Sequence, residues 1–200
     1  MQEGEMSQRK PENFLEPFLR RRRIERVLPF IKGMPDCRLL DIGCGWEARF
    51  LREVAPHIAE GVGIDPKAPQ LEGENGLITL RNRLDGELPF ESASFDIVTM
   101  LAVLEHLAQP RAIVGEVWRV LSPGGWFVGT VPSHMAKPVL EFFAYCLNLI
   151  NPEEIRDHKT YYNRASLHLL FVENGFLKLG HKYFQLGMNN FFYVQKPYRA

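Results

Sequence analysis

Three observations predict an α/β fold whose mostly parallel sheet ends in an antiparallel strand pair. Beyond Pro35, short apolar runs alternate with segments of helical period, the rhythm of βαβ units. Several of these runs are apolar on both faces, as strands are when helices cover both sides of their sheet. The last two runs are joined by Leu186-Gly-Met-Asn, which suits a hairpin and is too short for a crossover.

The chain reads as one domain over residues 1–200, beginning with a helical segment over 1–35. There Phe14, Phe18, Ile24, Val27, Leu28 and Ile31 recur at spacings near three and four, with Pro17 disturbing the first part. Arg20 to Arg23 fan around the axis with Glu16 and Glu25 nearby to pair with them, so the basic run reads as a solvated face. Strands are predicted at Arg38–Ile42, Gly61–Ile64, Leu77–Leu80, Phe95–Leu101 and Trp126–Val131. Helices are predicted at Trp46–Ala55 and at Pro110–Leu121. The second has proline in its first turn, a stripe of Ile113, Val117, Val120 and Leu121, and Ser122-Pro-Gly-Gly to end it. A helix over Arg164–Asn174 precedes the final pair, Phe176–Gln185 and Asn190–Gln195.

Residues 133–163 form an insertion between the fifth strand and the next helix. Its run from Pro138 to Ile150 is apolar on nearly all sides, with Glu141 and Asn148 sharing one face. Burial in the core, a wall against a hydrophobic acceptor, and a dimer surface all fit that pattern.

Composition narrows the function. Of 200 residues, 24 are Lys or Arg and 24 are Asp or Glu, so no global field draws the chain onto nucleic acid or an anionic membrane. Cys37, Cys44 and Cys146 lack C-x-x-C spacing, which points away from a zinc site and from a disulfide framework and toward the cytoplasm. The amino terminus carries no secretory signal, and the longest apolar run is too short to span a bilayer.

The segment Leu39-Leu-Asp-Ile-Gly-Cys-Gly-Trp-Glu-Ala sets a glycine turn between a strand and a helix, the context in which such a loop cradles a nucleoside cofactor. Asp65 closes the next strand about twenty residues later, where a carboxylate can accept hydrogen bonds from ribose hydroxyls. Gly43-x-Gly45-x-x-Ala48 satisfies the dinucleotide fingerprint, so an NAD(P)-linked oxidoreductase competes. Charge separates the two. Asp41 and Glu47 flank the loop and would repel a diphosphate, whereas they suit a cationic ligand such as S-adenosylmethionine (SAM).

The stretch from Leu39 to Gly45 resembles motif I of the class I SAM-dependent methyltransferases. Leu88-Pro-Phe-Glu-Ser-Ala-Ser-Phe-Asp-Ile-Val, Val103-Leu-Glu-His-Leu and Trp118-Arg-Val-Leu-Ser-Pro-Gly-Gly are similar, in the same order, to segments of the small-molecule enzymes of that class related to ubiquinone and menaquinone biosynthesis. The resemblance implies a Rossmann-like, seven-stranded, mostly parallel sheet with an antiparallel C-terminal strand and helices on both faces. It implies SAM as cofactor, held by Asp41, Gly43, Cys44, Gly45, Asp65, Pro66, Leu84, Asp85 and Leu101, and a small-molecule acceptor taken by a monomer or homodimer. Three departures mark this chain: Glu47 stands where a third glycine is common, only Pro66–Gly76 joins the second and third strands, and Arg83 falls at the usual adenine-contacting acid, with Asp85 two residues away to substitute. They keep a non-catalytic SAM-binding subunit as an alternative.

If the acceptor must lose a proton, the base belongs near the carboxyl ends of the strands. His106 follows the fourth strand and His134 the fifth. His158, with Tyr161 and Tyr162, lies in the segment that the resemblance places over the pocket; His158, Tyr161 and His106 are the catalytic candidates. No metal site is expected.

Overall fold

The computed structural model describes residues 16–84, 86–136 and 159–198. Helix α1 (Glu16–Lys32) leads into β1 (Arg38–Ile42), α2 (Arg49–Val54), β2 (Glu60–Ile64), β3 (Glu72–Glu74) and β4 (Leu77–Leu80). After these come β5 (Phe95–Leu101), α3 (Pro110–Val120), β6 (Leu121–Pro132), α4 (Arg164–Glu173), β7 (Leu177–Phe184) and β8 (Asn189–Gln195). The eight strands lie in the order β3-β4-β2-β1-β5-β6-β8-β7. The stretch from β4 through β6 is parallel, and β8 runs antiparallel to both β6 and β7.

The predicted α/β class and the C-terminal hairpin are both present, with one strand beyond the seven expected. That strand, β3, is a Glu-Gly-Glu segment exposed at every position and antiparallel to β4, so no apolar alternation announced it. It occupies the short link where a helix had no room.

Side chains alternate across the sheet. Val98, Met100, Phe127 and Val131 face a core with Ile113, Val117, Leu170 and Phe171 from α3 and α4. Ile97, Val128 and Leu39 face the other way, onto Ile24, Val27 and Ile31 of α1 and Leu51 of α2. Helices thus cover both faces, which is why the strands read as continuous apolar runs. Phe127, Phe171 and Phe192 close the first core with ring centroids 4.9–5.7 Å apart. Phe30 of α1 sits 4.9 Å from Tyr193 and 5.4 Å from Trp126, docking the end of α1 over β8 and β6.

Two boundaries differ from expectation. Helix α2 begins at Arg49, not Trp46, because Ala48 takes a left-handed conformation (φ 50°) to close the preceding loop. Strand β6 begins at Leu121, and the Ser-Pro-Gly-Gly turn is absorbed as an irregularity in its pairing with β5. On α3, Arg119 donates to Glu116 and to the carbonyls of Leu88 and Phe90, while Glu116 accepts from Leu88 N. The side-chain bond with Arg119 holds the Glu116 carboxyl below its ordinary range and pins residues 88–90 to the helix.

Candidate cofactor site

The site forms where β1 and β2 end side by side. Gly43 N donates to Ile64 O at 2.8 Å, bending the chain across the end of β2. Gly43 and Gly45 have φ of 80° and 71°, a region L side chains avoid. At Gly43 sterics add to this, since a Cβ would stand 2.2 Å from a methyl of Val103. At Gly45 a Cβ would meet nothing within 4 Å, so this glycine presents bare backbone to open space.

Asp65 binds the loop from β2. Its Oδ2 accepts from Gly45 N at 3.1 Å and its Oδ1 from Lys67 N at 2.7 Å, leaving lone pairs on both oxygens for further donors. Asp41 is buried below the loop, where Oδ1 accepts from Thr99 Oγ1 at 2.7 Å. Burial pushes its carboxyl up to about 7 against the lowering effect of that bond, and the Asp65 charge adds to the rise. The Cys44 thiol is also pushed up, by burial and then by Asp41 and Asp65, so it is inert as a nucleophile.

A cavity of about 340 Å³ opens above the loop, lined in part by Asp41, Gly43, Cys44, Gly45 and Leu101. Five of the expected cofactor residues therefore meet there, and Asp65 reaches the same loop by its hydrogen bond. Pro66 is exposed beside Asp65, and Leu84 is half-buried against the α3 side of the core and outside the cavity lining. Asp85 and His158 lie outside the described residues, as do residues 137–158 of the insertion.

His106 ends a short turn, Leu104–His106, directly after β5, and is half-buried. Lys159 N and Thr160 N donate to Glu105 O at 2.8 and 3.3 Å, so the chain leading to Tyr161 runs beside that turn. Tyr161 is half-buried, Tyr162 buried and His134 exposed. Among the described residues no cluster of His, Cys, Asp and Glu could hold a metal ion, and no helix is long and apolar enough to cross a membrane.

Three features escaped the sequence. Arg20 and Arg23 line the cavity, so the basic run is only partly a solvated face; Arg21 and Arg22 do pair outward with Glu25, each at 3.2 Å. The spacing of three between Arg20 and Arg23 was the signal available. Glu47 pairs with Arg49, whose guanidinium also lies over the Trp46 ring, so its charge is offset within the loop. Glu105 is 1% exposed, and its Oε2 has no hydrogen-bond partner among the described residues. Burial pushes its carboxyl up to about 7 although the Arg23 charge opposes the rise. Burial and then the Glu105 charge push the Tyr162 phenol up to about 12.

Comparison with known proteins places this geometry. Residues 40–129, from within β1 to within β6, match the family described as a methyltransferase domain. The ubiquinone biosynthesis O-methyltransferase of Psychrobacter arcticus is 29% identical over 163 residues, 73% of this chain and 61% of that protein. The 24-methylenesterol C-methyltransferase 2 of Oryza sativa subsp. japonica is 33% identical over 114 residues, 52% of this chain and 31% of that protein. The chain thus spans about a third to three-fifths of the length of these curated relatives. In fold, the SAM-dependent methyltransferase from Mesorhizobium loti superposes with a TM-score of 0.66 at 16% identity, covering 86% of this chain and 98% of that one. With its glycine loop, its acid at the end of β2 and its sheet order all in place, residues 40–129 match the methyltransferase domain family and the chain has the fold of a SAM-dependent methyltransferase, a likeness that implies SAM as cofactor.

Proposed function

We propose that the protein transfers a methyl group from SAM to a small-molecule acceptor through an oxygen, nitrogen or carbon nucleophile, acting in the cytoplasm as a monomer or homodimer with residues 1–200 as one domain. The observation that carries this reading is the bond between Gly45 N and Asp65 beside an open cleft with a carboxyl group at its floor. The residues fit the cofactor. Gly45 leaves space for a ligand against the backbone, Asp65 keeps lone pairs for two ribose hydroxyls, and Asp41 supplies negative potential near an ammonium group.

When bound, SAM supplies an activated methyl on a sulfonium, so the protein's task is to exclude water and hold a nucleophile in line. Leu101, Phe50 and Trp46 give the cleft apolar walls for that exclusion. His106, Tyr161 and His158 are the groups proposed to take a proton from an acceptor that must lose one. Names of relatives that act in ubiquinone biosynthesis and on a methylenesterol favour an apolar acceptor, in keeping with the apolar run of the insertion.

Calorimetry with S-adenosylhomocysteine and with NADH tests the reading. The adenosyl ligand is expected to bind and NADH not to. Asp65→Ala should weaken adenosyl binding by about 1–3 kcal/mol through lost charged hydrogen bonds. Binding of NADH alone would establish the oxidoreductase alternative. His158→Gln should slow methyl transfer with cofactor affinity unchanged, whereas tight cofactor binding with no transfer to any extract component would mark a non-catalytic subunit.

A further inference from the structure

The segment that carries Tyr161 is tied down by a buried side chain from the C-terminal strand pair. The chain leaves β6 at Ser133, whose N donates to Met188 O at 2.9 Å and whose Oγ donates to Gly187 O at 2.6 Å, so its departure is fixed to the β7–β8 turn. It returns at residues 159–163, where Lys159 N and Thr160 N donate to Glu105 O and Tyr162 N donates to Pro132 O at 3.4 Å. Among the described residues Tyr162 meets the sheet through one bridge, to Ser133, and its carbonyl is taken up by a side chain. Asn190 of β8, fully buried, donates from Nδ2 to Tyr162 O at 3.0 Å and to Val131 O at 3.3 Å. With the amide hydrogens on two carbonyls, Asn190 Oδ1 can only accept, so His181 Nε2, 2.7 Å away on β7, is its donor. The His181 ring is itself packed edge-on against Tyr183, with centroids 4.6 Å apart.

A chain of hydrogen bonds thus runs from the outer strand β7 through β8 to the segment beside the Leu104–His106 turn. A buried amide whose donors serve two separate segments fixes their spacing, because releasing either carbonyl would leave a buried polar group without a partner. We infer that Asn190, oriented by His181, is a positioning residue for the acceptor side of the site: it holds the backbone of Tyr162 and so places Tyr161 beside the Leu104–His106 turn. The inference rests on the proposed methyl transfer for its functional meaning. In-line transfer is sensitive to placement, and a displacement of about 1 Å caused from outside the reacting groups can cost on the order of a hundredfold in rate. Neither Asn190 nor His181 is part of the cavity lining above the glycine loop, and Asp65 binds that loop from β2. Loss of the amide should therefore disturb the acceptor side and spare the cofactor.

The test uses the full chain and four variants. Asn190→Asp keeps the shape and removes the donors, His181→Phe keeps a ring and removes the donor to Oδ1, His181→Gln supplies an amide nitrogen in place of Nε2, and Lys182→Gln is an exposed control on the same strand. The measurements are amide exchange at Lys159, Thr160 and Tyr162 against amides of α3, S-adenosylhomocysteine affinity by calorimetry, and transfer of labelled methyl from SAM into a small-molecule cell extract, with KM for SAM. Asn190→Asp is expected to speed exchange at those amides about tenfold or more with α3 unchanged, and to lower the transfer rate at saturating SAM on the order of ten- to a hundredfold. KM for SAM and S-adenosylhomocysteine affinity should stay within about twofold of wild type, since the glycine loop is untouched. His181→Phe should act in the same direction on the order of three- to tenfold, while His181→Gln and Lys182→Gln match wild type. If Asn190→Asp does not fold, the contrast between His181→Phe and its glutamine counterpart decides alone. Unchanged exchange at the segment, unchanged transfer despite faster exchange, or a loss of S-adenosylhomocysteine affinity parallel to the loss of rate overturns the inference. Absence of transfer by the wild-type protein would count against the methyl-transfer reading instead, leaving the exchange measurement to decide whether Asn190 holds the segment.

Discussion

Asp41 couples the cofactor site to pH. Its carboxyl is raised from an ordinary value of 3.8 to about 7, chiefly by burial. Between those values the folded protein retains a proton that the unfolded chain has released, so stability falls as pH rises through this window and levels off above it. Glu105 adds a second contribution of the same sign. A ligand ammonium group beside it favours ionised Asp41, so affinity for S-adenosylhomocysteine should rise with pH up to about 7 and binding should release protons below it. Asp41→Asn is expected to abolish most of that pH dependence and to make the unliganded protein more stable than wild type at pH 8, by more than about 1 kcal/mol, in urea unfolding. At this scale the glycines and both aspartates were legible because each does a local task that few residue types perform. Glu105 and the two arginines were not, because their significance comes from burial and from a helix packed across the cleft, neither of which leaves a mark in a short stretch of sequence.

The glycine loop, as an element, separates folding from binding. Both glycines have positive φ, but only Gly43 is crowded, by Val103 from the turn after β5. Gly43→Ala must displace that side chain as well as adopt the left-handed conformation, so it should lower stability by about 2–4 kcal/mol and weaken adenosyl binding. Gly45→Ala meets no neighbour and should lose only about 1–2 kcal/mol for its backbone conformation. Its methyl projects into the cleft, so its loss of affinity should exceed that stability cost. Thermal unfolding and calorimetry on the two variants measure the split. The neighbouring elements show why boundaries were harder to read than existence. Helix α3 declared itself by its proline and its Ile113, Val117 and Val120 stripe, whereas α2 starts three residues late because Ala48 serves the loop, and β3 holds its place by pairing with β4 alone.

Across the whole molecule, strand order was the least legible feature. The apolar character of Phe191, Phe192 and Val194 marks a strand covered on both faces, but nothing in those residues says that β8 lies between β6 and β7, a place fixed by long-range pairing such as Gly129 with Phe192. That pairing also ties the distant half of the sheet to the stability of the site. Phe192 is fully buried among Phe127 and Phe171, and its ring lies where a Cβ on Gly129 would be only 2.4 Å away. Phe192→Ala should cost about 3–5 kcal/mol, and Phe192→Leu, which keeps most of the volume, less than that. Since β1 and β2, which carry the glycine loop and Asp65, do not border β8, the folded fraction of either variant should bind S-adenosylhomocysteine with wild-type affinity. Ligand at a hundred times its dissociation constant should then raise the unfolding free energy by about 2.7 kcal/mol in wild type and in Phe192→Leu alike. Urea titrations with and without ligand measure both increments, and a smaller increment in the variant would show that the antiparallel strands shape the cofactor cleft as well as support it.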